Sequence, residues 1–223
     1  MKKILKRYLL FVVGLYFLSA GIVLILRSSL GTTPISSVNY VLSLNTAFSL
    51  GTWTFLINLL LIVGQFWFVR DRMNRRDTVE ILLQIPFSFL FGLFIDVNMV
   101  LTETLQPQHY ILSIVLLLLG CLIQAVGVVL EIKPRGAMMS AEGFVSYASR
   151  RYNKDFGKIK VLFDVSLVTL TFVLSLVLAH KIEGVREGTI IVACITGYIV
   201  SFLSNRILTR ATLRKILPAK ISI

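Results

Sequence analysis

The polar side chains that could do chemistry in this chain lie inside or beside long apolar runs. Asp164 lies about four residues into one run, and Asn58, its neutral isostere, has the same place in another. A carboxylate in hydrocarbon is costly unless it is paired, protonated or hydrated, so Asp164 is a candidate for lining a solute pathway and for coupling to a proton. The alternative is that Asp164 lies near the membrane boundary and pairs with Lys160, one helical turn earlier.

Further candidates for a solute pathway occur in two connecting segments and at the start of the last apolar run. Glu142, within MSAEGF, either faces a cavity or is simply solvated, and Glu187, within REGTII, suits a helix N-terminus. Hydroxyl side chains stand near the starts of both connecting segments. We therefore predict the following pathway residues: Thr32, Thr33, Asn58, Ser140, Glu142, Asp164 and Glu187.

The chain carries no pattern typical of an enzyme or of a metal site. His109 and His180 have no partner at metal-ligand spacing, and Cys121 and Cys194 both lie inside apolar runs. There is no phosphate-binding loop, no nucleophile elbow and no pair of acids suited to hydrolysis. We therefore expect no enzymatic activity, no metal and no cofactor.

The composition is that of a membrane protein. Of the 223 residues, 56% are hydrophobic and only 15% are charged, with a mean hydropathy of +0.84. Soluble domains are about one-quarter charged. A window of about 19 residues, long enough to cross the hydrocarbon as a helix, predicts six spans, at residues 8–26, 52–69, 81–100, 111–130, 161–179 and 190–208. The first run is too long for a signal peptide and lacks a cleavage site, so we predict a retained span.

The basic residues predict how the spans are oriented. Twenty of the 23 Lys and Arg residues fall before the first span, between the second and third, between the fourth and fifth, or at the end of the sixth and beyond. The positive-inside rule makes this side cytoplasmic, so both termini are predicted to face the cytoplasm. A net charge of +12 in a soluble protein would suggest nucleic acid. Here it indicates the lipid bilayer as partner, and no nucleic acid.

The two halves of the chain resemble each other. One series of residues, spaced 7, 10, 20 and 7 apart, is matched by a second series spaced 7, 9, 21 and 7, at an offset of 106 residues. The two series are Gly14, Gly21, Gly31, Gly51, Asn58 and Gly120, Gly127, Gly136, Gly157, Asp164. Gly92 and Gly197 extend the match. We interpret the first three glycines of each series as helix-packing or hinge positions.

The repeat predicts an inverted architecture. Each unit holds three spans, so successive units enter the bilayer in opposite directions, as in many secondary transporters. The predicted units are residues 1–105 and 106–210, followed by a basic cytoplasmic tail at 211–223. The alternative is a duplicated six-helix scaffold without a transport role.

Two connectors, at 27–50 and 133–157, are too long for tight turns and contain moderately apolar stretches at 35–44 and 138–148. These stretches are too short to span, so they are either interfacial helices or re-entrant helices that dip into the bilayer and return. Thr32, Thr33 and Pro34 form a good helix start, with Pro in the first turn. If both helices are re-entrant, their N-termini approach each other from opposite faces and favour an anionic or strongly polar solute.

Four segments carry a resemblance to a known family: LGTTPISS at 30–37, GTWTFLIN at 51–58, the run at 156–164 and EGTIIVACITGY at 187–198. Together they resemble the YczE/YyaS/YitT family of bacterial membrane proteins, especially its YczE-like branch. The resemblance implies about six spans in the inner membrane, and some members are linked to the regulation of antibiotic or secondary-metabolite production. It supplies no substrate and no catalytic residues. Tyr198 stands where the family motif leads us to expect a smaller residue or Pro.

These observations predict an all-α integral membrane protein that acts as a small secondary transporter, or permease, for a small polar or anionic solute. Its pathway would lie between the 31–37 and 136–143 segments. The alternatives are a membrane regulator or assembly factor that does not transport, and the substrate-binding subunit of a larger importer. A homo-oligomer is compatible with each of them.

Overall fold

The computed structural model describes residues 2–70, 74–132, 138–181 and 184–207. Helices make up most of these residues, and no strand occurs among them. In chain order the helices are α1 (Lys2–Arg27), α2 (Pro34–Asn45), α3 (Leu50–Val69), α4 (Arg75–Leu101), α5 (Tyr110–Ile132), α6 (Ser140–Tyr152), α7 (Phe156–Ala179) and α8 (Glu187–Phe202). A π-helical turn, Leu203–Ile207, continues α8.

Five of these helices are long and apolar enough to cross a membrane, judged by length and composition: the Arg7–Arg27 part of α1, and α3, α4, α5 and α7. The chain is therefore an all-α membrane protein with several spans. The sixth predicted span coincides with α8, which is apolar but has only 16 residues before the π-helical turn. The end of that span, Leu208, and the basic tail lie outside the described residues.

The two predicted short helices are present as α2 and α6, of 12 and 13 residues. The prediction that α2 starts at the Thr-Pro pair is confirmed, because Thr33 is extended and Pro34 is the first helical residue. Proline fits this position since its φ is already helical and the missing N–H would have no partner in a first turn. Both helices are too short to cross the hydrocarbon.

The centre of the structure is a close contact between α1 and α5. Gly14 lies against Gly127, and Gly21 against Gly120, so the two helices run antiparallel. A Cβ atom built on Gly127 would lie 2.8 Å from the carbonyl oxygen of Gly14. Small residues of this kind let two helix backbones approach, which is how many membrane helices pack.

The contacts between helices follow a regular scheme. α2 packs against α7, and α6 against α3, so each short helix lies on a span from the other half of the chain. α1 also packs on α4, and α5 on α8. The scheme has one exception, since α3 and α4 pack closely, whereas α7 and α8 make at most a marginal contact.

The exception is clearest at two pairs of glycines. Gly51 on α3 lies against the backbone of Gly92 on α4, and the Asp96 carboxylate accepts bonds of 2.7 Å from Gly51 N–H and from the Ser49 hydroxyl. The corresponding residues in the second half are Gly157 and Gly197. A Cβ on Gly197 would meet nothing within 4 Å. Helices α3 and α4 are thus in close contact (closed), whereas α7 and α8 are not (open).

The glycine contact predicts a difference in stability between two identical substitutions. Gly127→Ala forces α1 and α5 apart and is expected to lower the free energy of unfolding by at least about 1 kcal/mol. Gly197→Ala, whose added methyl group meets open space, is the matched control and should change stability little. Thermal unfolding of both purified variants in the same detergent measures the difference. Equal midpoints for the two variants would contradict the close contact.

Candidate functional site

A cavity of about 280 Å³ lies between the first turns of α2 and α6. At about 30 Å³ per water molecule, it has room for roughly nine waters or one small solute. Its walls come from both halves of the chain, and they include the faces of α7 and α8 on either side of the gap between these two helices. Solute sites in secondary transporters are built in this way, where interrupted or half-length helices meet.

The wall formed by α2 is polar although it is buried. The Thr33 hydroxyl donates to the Ser36 hydroxyl at 2.8 Å, and the Asn39 amide donates to the Thr54 hydroxyl at 3.1 Å. Farther from the cavity, Ser37 is hydrogen-bonded at 2.7 Å to the Thr171 hydroxyl on α7. The short polar side chains of α2 therefore bind it to the neighbouring spans and do not face bulk water.

The start of α6 is held by three amide side chains. The Ser140 hydroxyl donates to Asn58 Oδ1 at 2.7 Å, and Gln65 Nε2 donates to the Ser140 carbonyl at 3.0 Å. Gln65 and Gln84 also exchange two hydrogen bonds, at 2.7 and 2.9 Å. Gly143 lies directly on this pair, and a Cβ there would be 2.7 Å from Gln65 Oε1. The network fixes the first turn of α6 at the edge of the cavity.

The far end of α6 is fixed by charge. Arg150 forms an ion pair of 3.3 Å with Asp77 at the start of α4, and its guanidinium lies 5.4 Å from the centre of the Tyr147 ring. Burial, with the nearby Asp77 and Glu80 charges, raises the pKa of Tyr147 to about 12. Tyr147 is therefore a neutral phenol at physiological pH. Both ends of α6 are thus bound to the spans of the first half.

Three carboxyl groups and one ammonium group belong to the described residues that line the cavity. Asp164 is paired with Lys160 at 2.5 Å, so the ion pair considered from the sequence forms, and both its members line the cavity. Glu131, at the end of α5, is only 6% exposed. Glu142, in the first turn of α6, is close enough to Glu131 for their charges to interact.

Several buried amide atoms at the cavity have no hydrogen-bond partner among the described residues. They are Asn39 Oδ1, Asn58 Nδ2 and Gln124 Oε1, and each belongs to a buried residue that lines the cavity. Buried polar atoms are rarely unpaired in folded proteins, because each one costs about 1–3 kcal/mol. Unpaired polar atoms at a cavity wall are what a site for a polar ligand provides.

The structure brings five of the seven predicted pathway residues to this cavity: Thr33, Asn58, Ser140, Glu142 and Asp164. Thr32 and Glu187 are not among the residues that line it. Thr32 is buried beside the first turn of α8, where its N–H donates to the Thr189 hydroxyl at 3.2 Å. Glu187 is exposed and lies 3.5 Å from Arg186.

The start of α8 is occupied by the protein itself, which explains the position of Glu187. Gly188 N–H donates to the Leu30 carbonyl at 2.7 Å, and the Arg186 guanidinium donates to the Ser29 carbonyl at 2.9 Å. Gly31 has a φ of +133°, and a Cβ there would lie 2.8 Å from Thr189 N, so glycine is required at this position. Its predicted counterpart, Gly136, lies outside the described residues.

Most residues of the cavity wall were not predicted from the sequence as pathway residues, and Glu131 and Asn39 show why. Glu131 comes directly after the predicted fourth span and a few residues before Lys133 and Arg135, so it resembles an ordinary acid at the membrane boundary. Asn39 lies in the middle of a Ser-rich short helix, where a polar residue is normally solvated. One sequence feature could have indicated Asn39 as a wall residue: like Asn58, it is an amide within a largely apolar stretch.

Comparison with known proteins gives a family over almost the whole chain. The model of a family described as "Family of unknown function (DUF6198)" matches residues 5–205. The Bacillus subtilis (strain 168) protein described as "Uncharacterized protein YyaS" is 24% identical over 196 residues, which cover 87% of this chain and 90% of that protein. No solved structure matches the chain. The expected likeness to YyaS is confirmed, and the chain belongs to the DUF6198 family.

Proposed function

We propose that this protein is a small secondary transporter whose substrate binds in the cavity between α2 and α6. The observation that carries the proposal is the set of unpaired buried amide atoms, on Asn39, Asn58 and Gln124, around a cavity of about 280 Å³. A scaffold or a purely structural helix bundle gains nothing from leaving these atoms without partners. The cavity volume suits a solute of metabolite size.

Three sets of contacts support an inverted repeat of six spans, with α8 and its π-helical turn as the sixth. The exchange of short helices between the halves is reciprocal, since α2 lies on α7 and α6 on α3. At the residue level, Ser37 meets Thr171 and Gly143 meets Gln65, and both pairs are related by the offset of 106 residues. Gly14 with Gly127 and Gly21 with Gly120 are related in the same way.

The distribution of Lys and Arg supports a cytoplasmic location of both termini, and the likeness to YyaS of Bacillus subtilis supports a bacterial inner membrane. In this orientation α2 enters from outside and α6 from inside. Ser36 and Ser140, in the first turns of α2 and α6, are buried among spans. We therefore favour re-entrant helices over helices lying flat at the headgroups.

The difference between α3–α4 and α7–α8 supports alternating access. In a transporter with inverted repeats, the two halves exchange conformations when the substrate site switches from facing one side of the membrane to facing the other. The Gly51–Gly92 contact holds α3 and α4 together, whereas a Cβ on Gly197 would meet nothing within 4 Å. In the second state α7 and α8 would close and α3 and α4 would separate. An ion or proton gradient would drive the exchange.

A ligand screen with a blocked variant tests the proposal. The purified protein is heated in the presence of pooled small cations, anions and neutral polar solutes, and stabilising compounds are then tested for uptake into proteoliposomes. Ala141→Leu fills the cavity wall without removing a side-chain hydrogen bond, so we expect it to weaken binding at least about tenfold. Ala47→Leu, in the exposed loop after α2, is the matched control.

The outcomes separate the three functional classes. A transporter binds a defined class of solute, carries it into proteoliposomes, and loses both properties in Ala141→Leu only. An importer subunit binds the solute but transports it only with an ATPase partner. If no pool stabilises the protein and both variants behave as the parent does, the proposal is wrong, and a regulator that does not transport becomes the better hypothesis.

A further inference from the structure

We propose that the solute recognised by this cavity is a small organic cation that carries an ammonium group. The inference rests on the proposed function and deepens it, because it assigns a chemical class to the ligand of the same site. It also reverses an expectation drawn from the helix N-termini alone, which favour anions. The argument depends on the charges, on the unpaired atoms and on the existing ion pair in the cavity wall.

The described residues of the wall carry more carboxyl groups than basic groups. Glu131, Glu142 and Asp164 contribute carboxyl groups, and Lys160 is the one basic side chain among the described lining residues. An anion would have to enter beside Glu142 and Asp164 in a medium where charges interact strongly. A cation would instead be attracted by these two carboxylates.

The unpaired amide atoms include two acceptors. Asn39 and Gln124, which are 2% and 9% exposed, each have an amide oxygen without a partner, whereas Asn58 supplies an unpaired N–H group. An ammonium group has several N–H donors and no acceptor, so it can satisfy these oxygens and a carboxylate at once. An anion of similar size could satisfy only the donors, which are the Asn58 N–H group and the unpaired Thr196 hydroxyl.

The Lys160–Asp164 pair shows that the cavity accepts an ammonium group. The two charged atoms are 2.5 Å apart, and Lys160 Nζ lies 5.7 Å from the centre of the Phe163 ring. Both side chains are about one-third exposed, at 36% and 30%, so a soluble cation can reach them. We infer that a substrate ammonium competes with Lys160 for Asp164.

Binding to the purified full chain tests this inference. Methylammonium and putrescine are the cationic probes, acetate and succinate the anionic probes, and glycerol the neutral one, all at one ionic strength kept with NaCl. We expect at least one cation to raise the unfolding temperature and to bind at least about tenfold more tightly than any anion. Glu142→Gln should weaken cation binding at least about tenfold. Glu103→Gln, an exposed acid outside the cavity wall, is the control and should change nothing.

The results distinguish this inference from the proposed function. If anions or glycerol bind and Ala141→Leu blocks them, the cavity is a solute site and the cation assignment is wrong. If cations bind equally well to Glu142→Gln and to the parent, they bind elsewhere and the assignment is also wrong. If no probe and no pooled solute binds at all, the proposed function fails together with the inference.

Discussion

Replacing Asp164 with Asn is expected to lower the uptake of the cation that binds best at least about 30-fold, while the protein stays folded and inserted. The carboxylate lines the cavity and already pairs with an ammonium group, that of Lys160. Removing a hydrogen bond to a charged group costs about 1.5–3 kcal/mol, which corresponds to roughly 10–150-fold. The amide side chain introduced at position 164 should fit without disturbing the fold, because the equivalent residue of the other half is Asn58. Uptake of labelled probe into proteoliposomes, together with the thermal unfolding midpoint, measures both effects.

A second variant separates a transport role from a structural ion pair. Lys160→Gln removes the internal competitor and leaves the Asp164 carboxylate unpaired. If the substrate ammonium competes with Lys160, this variant should bind the cation more tightly than the parent does. If the pair only stabilises α7, Asp164→Asn and Lys160→Gln should lower the unfolding midpoint alike and leave uptake unchanged. That outcome would remove Asp164 from the pathway.

Gly197→Leu should reduce uptake at least about tenfold with almost no loss of stability, within about 0.5 kcal/mol. In the present state a Cβ at this position would meet nothing within 4 Å, and α7 and α8 make at most a marginal contact. In the second state these helices would pack as α3 and α4 do at Gly51 and Gly92, where no side chain fits. The variant should therefore hold the protein in the open α7–α8 conformation. Uptake and equilibrium binding of the same probe are compared, and only uptake should fall.

The control for this experiment lies on the same helix. Tyr198 is 80% exposed, so Tyr198→Leu changes a neighbouring position that no described residue covers. It should transport normally. Full uptake by Gly197→Leu would mean that α7 and α8 do not close during transport, and the alternating-access mechanism would then have to be abandoned.

The helices could be predicted because their signals are local. Apolar runs of span length, a Thr-Pro helix start and short apolar stretches between basic loops depend only on neighbouring residues, and α2 begins at Pro34 as expected. The close contact of α1 with α5 involves glycines that the repeat pattern had identified, Gly14, Gly21, Gly120 and Gly127. In these cases the sequence spacing and the three-dimensional arrangement carry the same information.

The chemistry of the cavity could not be predicted in the same way, because it depends on how distant segments fold back. Glu131 becomes a wall residue only when the start of α6 returns to it. The helix-dipole argument predicted an anionic or strongly polar solute from the α2 and α6 N-termini alone. At Glu187 the sequence could not indicate that the contact of Gly188 with Leu30 commits the α8 N-terminus to the protein itself.

The exchange of short helices between the halves has a consequence for biogenesis. α2 lies against α7, so the hydrogen bond between Ser37 and Thr171 cannot form until the ribosome has added Thr171, 134 residues later. Until then α2 is without the neighbour that covers it in the finished protein. The first half therefore reaches its final arrangement only after most of the second has been synthesised.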